Sequence, residues 1–385
     1  MKKKLNIHIF FSTIENESRL MKETGSLVSL NLVDEILIIG KGEDFLKRSE
    51  KVDEKREILR LSLLKQNGAI SSPIRRVKGL IRIFQFNFKV LYLIIKKRPA
   101  FISCHNLMLL PIASIAKFFS RAKLIYTPHE LETERTGLTT LNKKLSKLSE
   151  SFFIRFANKV LVVCDPIKDW YFKIYNLKNI FVLPNLPYNP FINTTLYRTN
   201  WLRKEFNIPD EHYLFIYQGV IDKARGCADL IENFKNAKTD RHLIFMGYGS
   251  MVEELKQMTL HCKNIHYKPA VAVNQIINFT SSADIGIFYI PTEITLSYKF
   301  SLPNKFFEYL MAGLPVIVSE NLEYLSQKIY ANKLGWVLSS EKKDFIERIN
   351  SITKKEIQEI QEHVLPYAKQ NGWQFEEKIL NEVYS

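Results

Sequence analysis

The sequence is poor in cysteine, in metal-ligand spacings and in long apolar runs, and each shortage excludes a class of protein. Its 385 residues include four cysteines and no CxxC pair, which predicts reduced, buried thiols in a cytoplasmic protein. The eight histidines show neither HExxH nor another paired-ligand spacing, so we expect no metal site. No run of about 18 uninterrupted apolar residues occurs, and the run after MKKK is too short for a secretory signal; we expect neither a membrane span nor a leader.

Acidic residues are absent from one long stretch of the chain. Residues 58–129 contain thirteen lysines and arginines and no aspartate or glutamate. Residues 1–190 hold 33 basic and 17 acidic side chains, a net charge of +16, whereas residues 191–385 hold 22 and 23, a net charge of −1. An excess of one sign in one half of the chain indicates an anionic partner for that half.

Hydrophobic residues make up 46% of the chain, enough for a sizeable core. Five strand-like apolar runs precede a linker with three prolines at residues 183–190, and six follow it; helix-like segments separate them. This alternation predicts an α/β protein with two Rossmann-like, doubly wound domains facing a cleft, and a C-terminal helix that crosses back to the first domain. The expected boundaries are 1–186, 187–365 and 366–385.

Two glycine-containing turns of the second half follow predicted strands, where open α/β sheets bind ligands. In YQGVIDKARG, residues 217–226, Gly219 permits a tight turn, and Lys223 and Arg225 can reach a diphosphate. A solvated basic loop would have the same sequence. FMGYGS, residues 245–250, adds Gly247 and Gly249, which by themselves indicate no more than a second tight turn.

A third segment of the second half, SLPNKFFEYLMAGLPVIVS at residues 301–319, is the most specific. It predicts a turn, a short helix and a buried strand. Lys305 and Glu308 fall on one face of that helix, where the carboxylate can accept hydrogen bonds from a ribose diol. An exposed ion pair between the two side chains is the alternative.

The order GVIDKARG, LIFMGYG, ADIGIF and LPNKFFEYLMAGLPVI resembles the retaining GT-B glycosyltransferases of family 4, the glycosyl transferases group 1. The resemblance implies a nucleotide-diphosphate sugar as donor substrate, no further cofactor and no metal. It implies that Arg225 and Lys223 stabilise the departing diphosphate. The donor-binding residues that it implies are Gly219, Gly247, Gly249, Ser301, Leu302, Asn304, Lys305 and Glu308.

The chain departs from the family pattern at two positions. The family often has a second glutamate eight residues before the ribose-binding acid, but Phe300 stands there. Val220 replaces the basic residue that commonly follows the first glycine. These departures bear on how the donor sugar is held. Glu293 is a distant substitute for the family glutamate that is absent at position 300.

The first half contains a histidine at the end of a predicted strand, in KLIYTPHELETERTG at residues 123–137. A histidine at the carboxyl edge of a sheet can contact the donor sugar or the acceptor, so His129 is a candidate catalytic residue. Glu130 could orient His129 or accept the proton of the acceptor. His105 ends the preceding strand and is a weaker candidate. A purely structural histidine is the alternative for both.

Basic and aromatic residues alternate in residues 73–98, a composition that suits an amphipathic helix on an anionic bilayer. The residues predicted to contact the membrane or the acceptor are Arg75, Arg76, Arg82 and Lys89. A crossover helix with a solvated basic face is the alternative. No motif that reads nucleic acid occurs.

Together these features predict a metal-independent glycosyltransferase of the hexosyltransferase type, at the cytoplasmic face of the plasma membrane. We expect it to move a sugar to a glycan or polyprenyl-linked acceptor in the synthesis of a cell-surface polysaccharide such as lipopolysaccharide or capsule. Retention of the anomeric configuration is implied by the resemblance. The alternatives are a nucleotide-sugar epimerase of GT-B fold and a non-catalytic protein that binds anionic surfaces.

Overall fold

The computed structural model describes residues 3–15, 17–65, 73–135, 137–190, 198–291 and 294–385, with the backbone alone for residues 73–76. The chain divides into two units. The first comprises Met1–Pro184 and Glu376–Ser385, and the second comprises Asn185–Phe375. Each unit has its own sheet, and both sheets are built mainly of parallel strands connected by helices, as the alternation of apolar runs predicts.

The sheet of the first unit has eight strands in the order β3-β4-β2-β1-β5-β6-β7-β8. All neighbours pair in parallel except β3 and β4, which form an antiparallel edge. The strands are β1 (Leu5–Ile9), β2 (Glu35–Lys41), β3 (Ser49–Lys51), β4 (Arg56–Leu61), β5 (Phe101–Cys104), β6 (Lys123–Tyr126), β7 (Lys159–Val162) and β8 (Ile180–Val182). Strand order reverses between β1 and β5, so the carboxyl ends of these two strands form the switch point of this sheet.

Five helices connect these strands: α1 (Ser18–Ser29), α2 (Pro73–Lys97), α3 (Leu110–Ser120), α4 (Thr140–Phe153) and α5 (Asp165–Tyr175). Their ends follow local sequence signals. The Thr139 side chain accepts a hydrogen bond from the Asn142 amide and caps α4. Arg121 and Asn176 adopt left-handed conformations that end α3 and α5.

The sheet of the second unit has six parallel strands in the order β11-β10-β9-β12-β13-β14. They are β9 (Tyr213–Val220), β10 (Arg241–Tyr248), β11 (Ile265–Pro269), β12 (Ile285–Phe288), β13 (Val316–Ser319) and β14 (Gly335–Leu338). Here the order reverses between β9 and β12. A ligand of this unit is therefore expected beyond the carboxyl ends of these two strands.

The helices of the second unit cover both faces of its sheet. They are α6 (Trp201–Glu205), α7 (Cys227–Lys235), α8 (Val252–Met258), α9 (Ile276–Thr280), α10 (Leu296–Lys299), α11 (Asn304–Met311), α12 (Glu323–Asn332), α13 (Lys342–Ser351), α14 (Lys354–Gln370) and α15 (Trp373–Glu376). Leu214 and Ile216 of β9 join one buried cluster, and Phe215 and Tyr217 join the other. This alternation is the period-two pattern of a strand that is buried on both faces.

The C-terminal residues 376–385 pack in the first unit, where α16 (Ile379–Val383) buries Leu380 and Val383. The Tyr384 hydroxyl lies 2.8 Å from Ser103 Oγ, and its ring packs against Phe101. Helix α14 of the second unit continues through Pro366 to Gln370, so the residues just after the expected boundary at 365 remain in that unit.

Candidate active site

Two glycines bring the carboxyl ends of β9 and β10 together. Gly219 and Gly247 are register partners, and a Cβ atom on Gly247 would lie 1.8 Å from the carbonyl oxygen of Gly219. Gly219 has φ +107°, a conformation that residues with side chains rarely adopt. Gly249, at φ +156°, approaches the backbone of Ile221 in the same way. These glycines shape the edge where a ligand would bind.

The basic loop after β9 forms a short 3₁₀ turn, Lys223–Arg225, that is fixed by Asp222. The Asp222 carboxylate accepts hydrogen bonds from the Ala224 amide at 3.0 Å and from Ser250 Oγ at 2.6 Å, and so joins this loop to the glycine turn after β10. Lys223 is exposed and forms an ion pair with Glu254 at 3.0 Å. Arg225, half-buried, forms no ion pair or side-chain hydrogen bond with any residue in the described part of the chain.

Lys305 is a buried cation at this edge. Its side chain is 7% exposed, and Nζ has no hydrogen-bond partner among the described residues. Nζ lies 3.9 Å from the ring centre of Tyr217 and 4.8 Å from that of Phe288. Burial, with a further contribution from the nearby Arg225 guanidinium, lowers the pKa of Lys305 to about 7. The ammonium group is therefore poised to accept an anionic partner.

Glu308 lies one turn after Lys305 on α11 and is held by a chain of polar side chains. Gln218 donates a hydrogen bond from Nε2 to the Glu308 carboxylate, and Thr280 Oγ1 donates at 2.7 Å to Gln218 Oε1. The sequence analysis missed Gln218 and Thr280. They come from β9 and α9, and no motif links them to α11, so only the fold reveals that they orient this carboxylate.

The loop that precedes α11 contains the other residues expected to bind the donor. Ser301 donates its amide to the Tyr298 carbonyl at 3.0 Å, Leu302 packs against the core, and Asn304 is the first residue of α11. The buried Ser301 Oγ has no hydrogen-bond partner within the described ranges. Glu293, the suggested substitute for the glutamate that is absent at Phe300, lies outside the described residues.

In the first unit, a row of three histidines crosses the carboxyl ends of β1, β5 and β6. His8 Nδ1 lies 2.9 Å from His105 Nε2, and His105 Nδ1 lies 3.1 Å from His129 Nε2. Burial lowers the pKa of His129 to about 3, with Arg19 and Arg135 contributing. His129 is thus a neutral imidazole that contacts His105, the weaker candidate of the sequence analysis.

The acidic residues near His129 form ion pairs of their own. Glu130 pairs with Arg135 at 3.0 Å, and Arg135 also contacts Glu132 at 3.1 Å. Glu134 pairs with Lys143 and Lys147 of α4. The structure therefore shows a histidine, rather than one of these carboxylates, in hydrogen-bond contact with the His129 ring nitrogen.

Comparison with known proteins gives a consistent result for both units. The model of Glycosyltransferase Family 4 matches residues 50–186, and that of the Glucosyltransferase 3-like C-terminal domain matches residues 224–382. HepE of Anabaena, solved with UDP and glucose, has a TM-score of 0.73 at 13% identity, with 99% of each chain covered. The chain has the GT-B fold of glycosyltransferases.

Two further structures share this fold. Sucrose-phosphate synthase from Thermosynechococcus elongatus has a TM-score of 0.74 at 11% identity over 99% of this chain and 98% of its own. WaaG, a glycosyltransferase involved in lipopolysaccharide biosynthesis, has a TM-score of 0.61 at 13% identity over 99% of both chains. No curated protein sequence matches the chain.

The structure corrects one residue of the basic surface expected on the first half of the chain. Arg82 is 6% exposed; it pairs with Glu43 at 2.7 Å and donates to the Leu64 carbonyl, so it cannot face a bilayer. Lys89 is exposed but donates to the Ser62 carbonyl at 2.6 Å. The side chains of Arg75 and Arg76 lie outside the described part. Among the described residues, no helix has the length and apolar character needed to cross a membrane.

The histidine row of the first unit also brings together three groups that could hold a metal ion. The candidate ligand atoms of His8, Glu23 and His105 all lie within 4.8 Å of one another. The residues are far apart in sequence, which is why no spacing indicated them. The two imidazoles already hydrogen-bond to each other, and the buried Arg19 guanidinium is close enough to lower the pKa of His105. Both features oppose a cation at this position.

Proposed function

We propose that this chain transfers a sugar from a nucleotide-diphosphate donor to a glycan or polyprenyl-linked acceptor in the synthesis of a cell-surface polysaccharide. The observation that supports it most is the pair of cations at the switch point of the second sheet. Lys305 is buried without a hydrogen-bond partner in the described part, and Arg225 beside it has no ion pair there. A buried, unpaired ammonium is costly unless a ligand supplies the counter-charge.

UDP-sugars are the first donors to test, because the similar HepE was solved with UDP and with UDP-glucose. In our proposal the diphosphate contacts Arg225 and Lys305 as well as backbone amides at the start of α11, and Lys223 supports it from the exposed side. Glu308, oriented by Gln218, accepts hydrogen bonds from the ribose hydroxyls.

The proposed reaction breaks the bond between the anomeric carbon and the diphosphate oxygen. Negative charge develops on the diphosphate, and the two cations stabilise it in a water-poor environment. The acceptor hydroxyl attacks the same face of the sugar and gives its proton to the departing phosphate oxygen, so the configuration is retained. His129 contacts the donor sugar or the acceptor. No cofactor beyond the donor is proposed.

A donor screen with matched variants tests the proposal. UDP-, GDP-, ADP- and CMP-linked sugars are added to the intact chain, and the melting temperature is measured, since a bound ligand raises it. We expect a UDP-sugar to raise it in the wild type and in Lys235→Ala, an exposed lysine paired with Glu232. The shift should be lost in Arg225→Ala and Glu308→Gln.

Two results would contradict the proposal. A shift that survives in both site variants would place the donor elsewhere. Conversion of the donor into an epimer without any acceptor would indicate the epimerase instead. Where transfer occurs, NMR of the anomeric proton in the product distinguishes retention from inversion.

We further propose that the first unit binds an anionic membrane surface. The apolar-basic helices α2, α3 and α4 expose large apolar side chains to solvent, among them Phe84, Phe88, Tyr92, Phe118, Phe119, Leu145, Leu148 and Phe152. Lysines and arginines accompany them, whereas the one acidic residue on these three helices, Glu150, is buried against tyrosine hydroxyls. Exposed aromatic and aliphatic side chains combined with cations suit an anionic lipid interface.

Vesicle flotation tests this surface. We expect the chain to float with phosphatidylcholine vesicles that contain phosphatidylglycerol, and to be released by salt. The double variant Phe118→Ser, Phe119→Ser should lose flotation, while Phe172→Ser, at a phenylalanine on α5 that is also more than half exposed, should keep it. Flotation that is equal for all three proteins, or absent in each, would exclude these helices as a membrane-binding surface.

A further inference from the structure

The histidine row of the first unit is the end of a longer hydrogen-bonded chain. Asn6 Nδ2 lies 2.8 Å from His8 Nε2. A ring nitrogen of His8 then contacts a ring nitrogen of His105, and the second ring nitrogen of His105 contacts His129. Asn6, His8 and His105 are fully buried. Nε2 of His129 faces His105, and Nδ1 of the same ring has no hydrogen-bond partner among the described residues, so Nδ1 is the open end of the chain.

The direction of every hydrogen bond in this chain follows from Asn6. Ser103 Oγ lies 3.2 Å from Asn6 Oδ1, which places the amide oxygen toward the serine and the amide nitrogen toward His8. An amide nitrogen only donates, so His8 Nε2 accepts and the proton of that ring is on Nδ1. His8 Nδ1 then donates to His105 Nε2, which leaves the proton of His105 on Nδ1.

The electrostatic environment keeps the three rings neutral, which the alternation of donors and acceptors requires. Burial lowers the pKa of His8 to about 3, and it lowers the pKa of His105 well below its usual range. The buried Arg19 of α1 also lowers the pKa of His105 and His129 and so disfavours a second cation. Glu23, also on α1, has its pKa raised to about 7 by burial and reaches the Tyr384 hydroxyl at 3.3 Å.

We propose that Asn6, His8 and His105 are positioning residues that hold His129 as the tautomer with its proton on Nδ1. In this state His129 donates a hydrogen bond to a substrate oxygen and does not act as a base. The substrate part of this inference rests on the proposed function. The tautomer itself depends only on the hydrogen-bonded chain in the first unit.

Nitrogen-15 NMR of the intact chain, with labelled histidine, tests the tautomer without any substrate. Single histidine substitutions assign the signals of the eight histidines. We expect a protonated Nδ1 and an unprotonated Nε2 for His129. An unprotonated Nδ1 would overturn the proposal. Zinc binding with one equivalent that shifts the His8 and His105 signals together would also overturn it, because the site would then be a metal site.

The variant Asn6→Asp reverses the chain with almost no change in shape. At a pH where the introduced acid is ionised, its carboxylate only accepts, so His8 must present a protonated Nε2 and each neutral ring that follows must exchange its donor and acceptor nitrogens. We expect the His129 signals to exchange accordingly. His242→Gln is the matched control: His242 sits between His212 and His266 with the same spacing, 2.9 and 3.1 Å, but at the amino ends of the second sheet. This control should leave His129 unchanged.

Kinetics then separate the tautomer from the proposed function. With a donor found by the screen, Asn6→Asp should lower kcat about tenfold or more while the melting shift produced by UDP stays as in the wild type. If the NMR signals exchange but kcat is unchanged, His129 does not donate to the substrate and the inference fails, whereas the glycosyltransferase proposal stands. If no donor binds at all, the proposed function fails and the NMR result still decides the tautomer.

Discussion

At the scale of single residues, Lys305 combines a high energetic cost with a proposed role. Its buried ammonium has two aromatic rings as neighbours but no hydrogen-bond partner in the described ranges. Aromatic faces attract a cation, yet they replace only part of the hydration that burial removes. Burial of this ammonium therefore lowers the stability of the ligand-free chain. In the proposed function, a negatively charged ligand compensates the buried charge.

This cost predicts that Lys305→Met stabilises the ligand-free chain. Folding lowers the pKa of Lys305 from 10.5 to about 7, so below pH 7 both states are protonated and the folded state bears the full cost. As the pH rises from 7 toward 10.5, the folded state releases its proton first, and the cost disappears. We expect a gain of about 1–4 kcal/mol at pH 6–7, measured by urea unfolding, that shrinks toward pH 10.

The exposed Lys235→Met substitution is the control for that measurement and should change stability little at any pH. A Lys305→Met variant that is less stable than the wild type at pH 6.5 would show that the aromatic contacts fully compensate the buried charge.

The same pKa predicts a pH dependence of donor binding. A diphosphate binds the protonated Lys305, so the free chain must take up a proton to bind once the pH exceeds about 7. We expect the affinity for UDP-glucose, measured by calorimetry, to fall by up to tenfold per pH unit between pH 7 and 9. Lys305→Arg should remove this slope, because a guanidinium stays charged in that range. An equal slope in both proteins would assign the titration to another group.

Residue-scale prediction from the sequence succeeds for groups that are close in the chain and fails for those joined by the fold. The spacing of Lys305 and Glu308 places both on one face of a helix, and the helix is present. Gln218 reaches Glu308 only because β9 lies beside α11, 90 residues away in the sequence. His8 and His105 are likewise 97 residues apart, so no local pattern could indicate their contact.

At the scale of elements, the close contact between the ends of β9 and β10 predicts that one methyl group added at Gly247 strongly lowers stability. Gly247→Ala would place a Cβ atom 1.8 Å from the Gly219 carbonyl oxygen, so the two strands must separate. We expect a loss of about 1–3 kcal/mol or more in urea unfolding. Donor binding should be lost as well, because the turn after β9 carries Arg225 and Gly219 lies against the Lys305 side chain.

Gly25→Ala offers a contrast within the same chain. Gly25 lies inside α1, where the added Cβ atom would be 3.3 Å from the end of the flexible Arg56 side chain. Alanine also favours the helix, so we expect a small effect or a slight gain in stability. Equal effects of the two substitutions would contradict the steric argument for Gly247.

The alternation of apolar runs predicted all six strands of the second sheet but only five of the eight in the first. The missed strands are β3, β4 and β8, which lie at or next to the two edges of that sheet. Strands at or near the edge of a sheet are less buried, so they do not need a continuous apolar run. All three residues of β3, SEK, are exposed, and three of the six residues of β4, REILRL, are charged. Pro366, just after the expected boundary at 365, sits within α14 without ending it.

At the scale of the whole molecule, the charge asymmetry coincides with the division into two units. The basic excess belongs to the unit that carries the apolar-basic helices, while the nearly neutral half places Arg225 and Lys305 at the carboxyl edge of its sheet. Composition alone could predict an anionic partner for the first half. It could not separate Arg82, buried against Glu43, from the cations that remain on the surface.

The last ten residues of the chain pack in the same unit as its N-terminal part. We predict that the stability of this unit depends on them. A chain that stops at Phe375 loses buried Leu380, Val383 and Tyr384, at about 1.5–3 kcal/mol for each large apolar side chain, or roughly 5 kcal/mol together. It also leaves the buried Ser103 without the Tyr384 hydroxyl. In scanning calorimetry we expect the transition of the first unit to fall by about 10 °C or more, while that of the second unit, identified by its response to UDP-glucose, stays in place. The point variant Tyr384→Phe should reproduce a small part of the shift. A truncated chain whose two transitions match those of the full chain would show that the first unit is stable without its C-terminal segment.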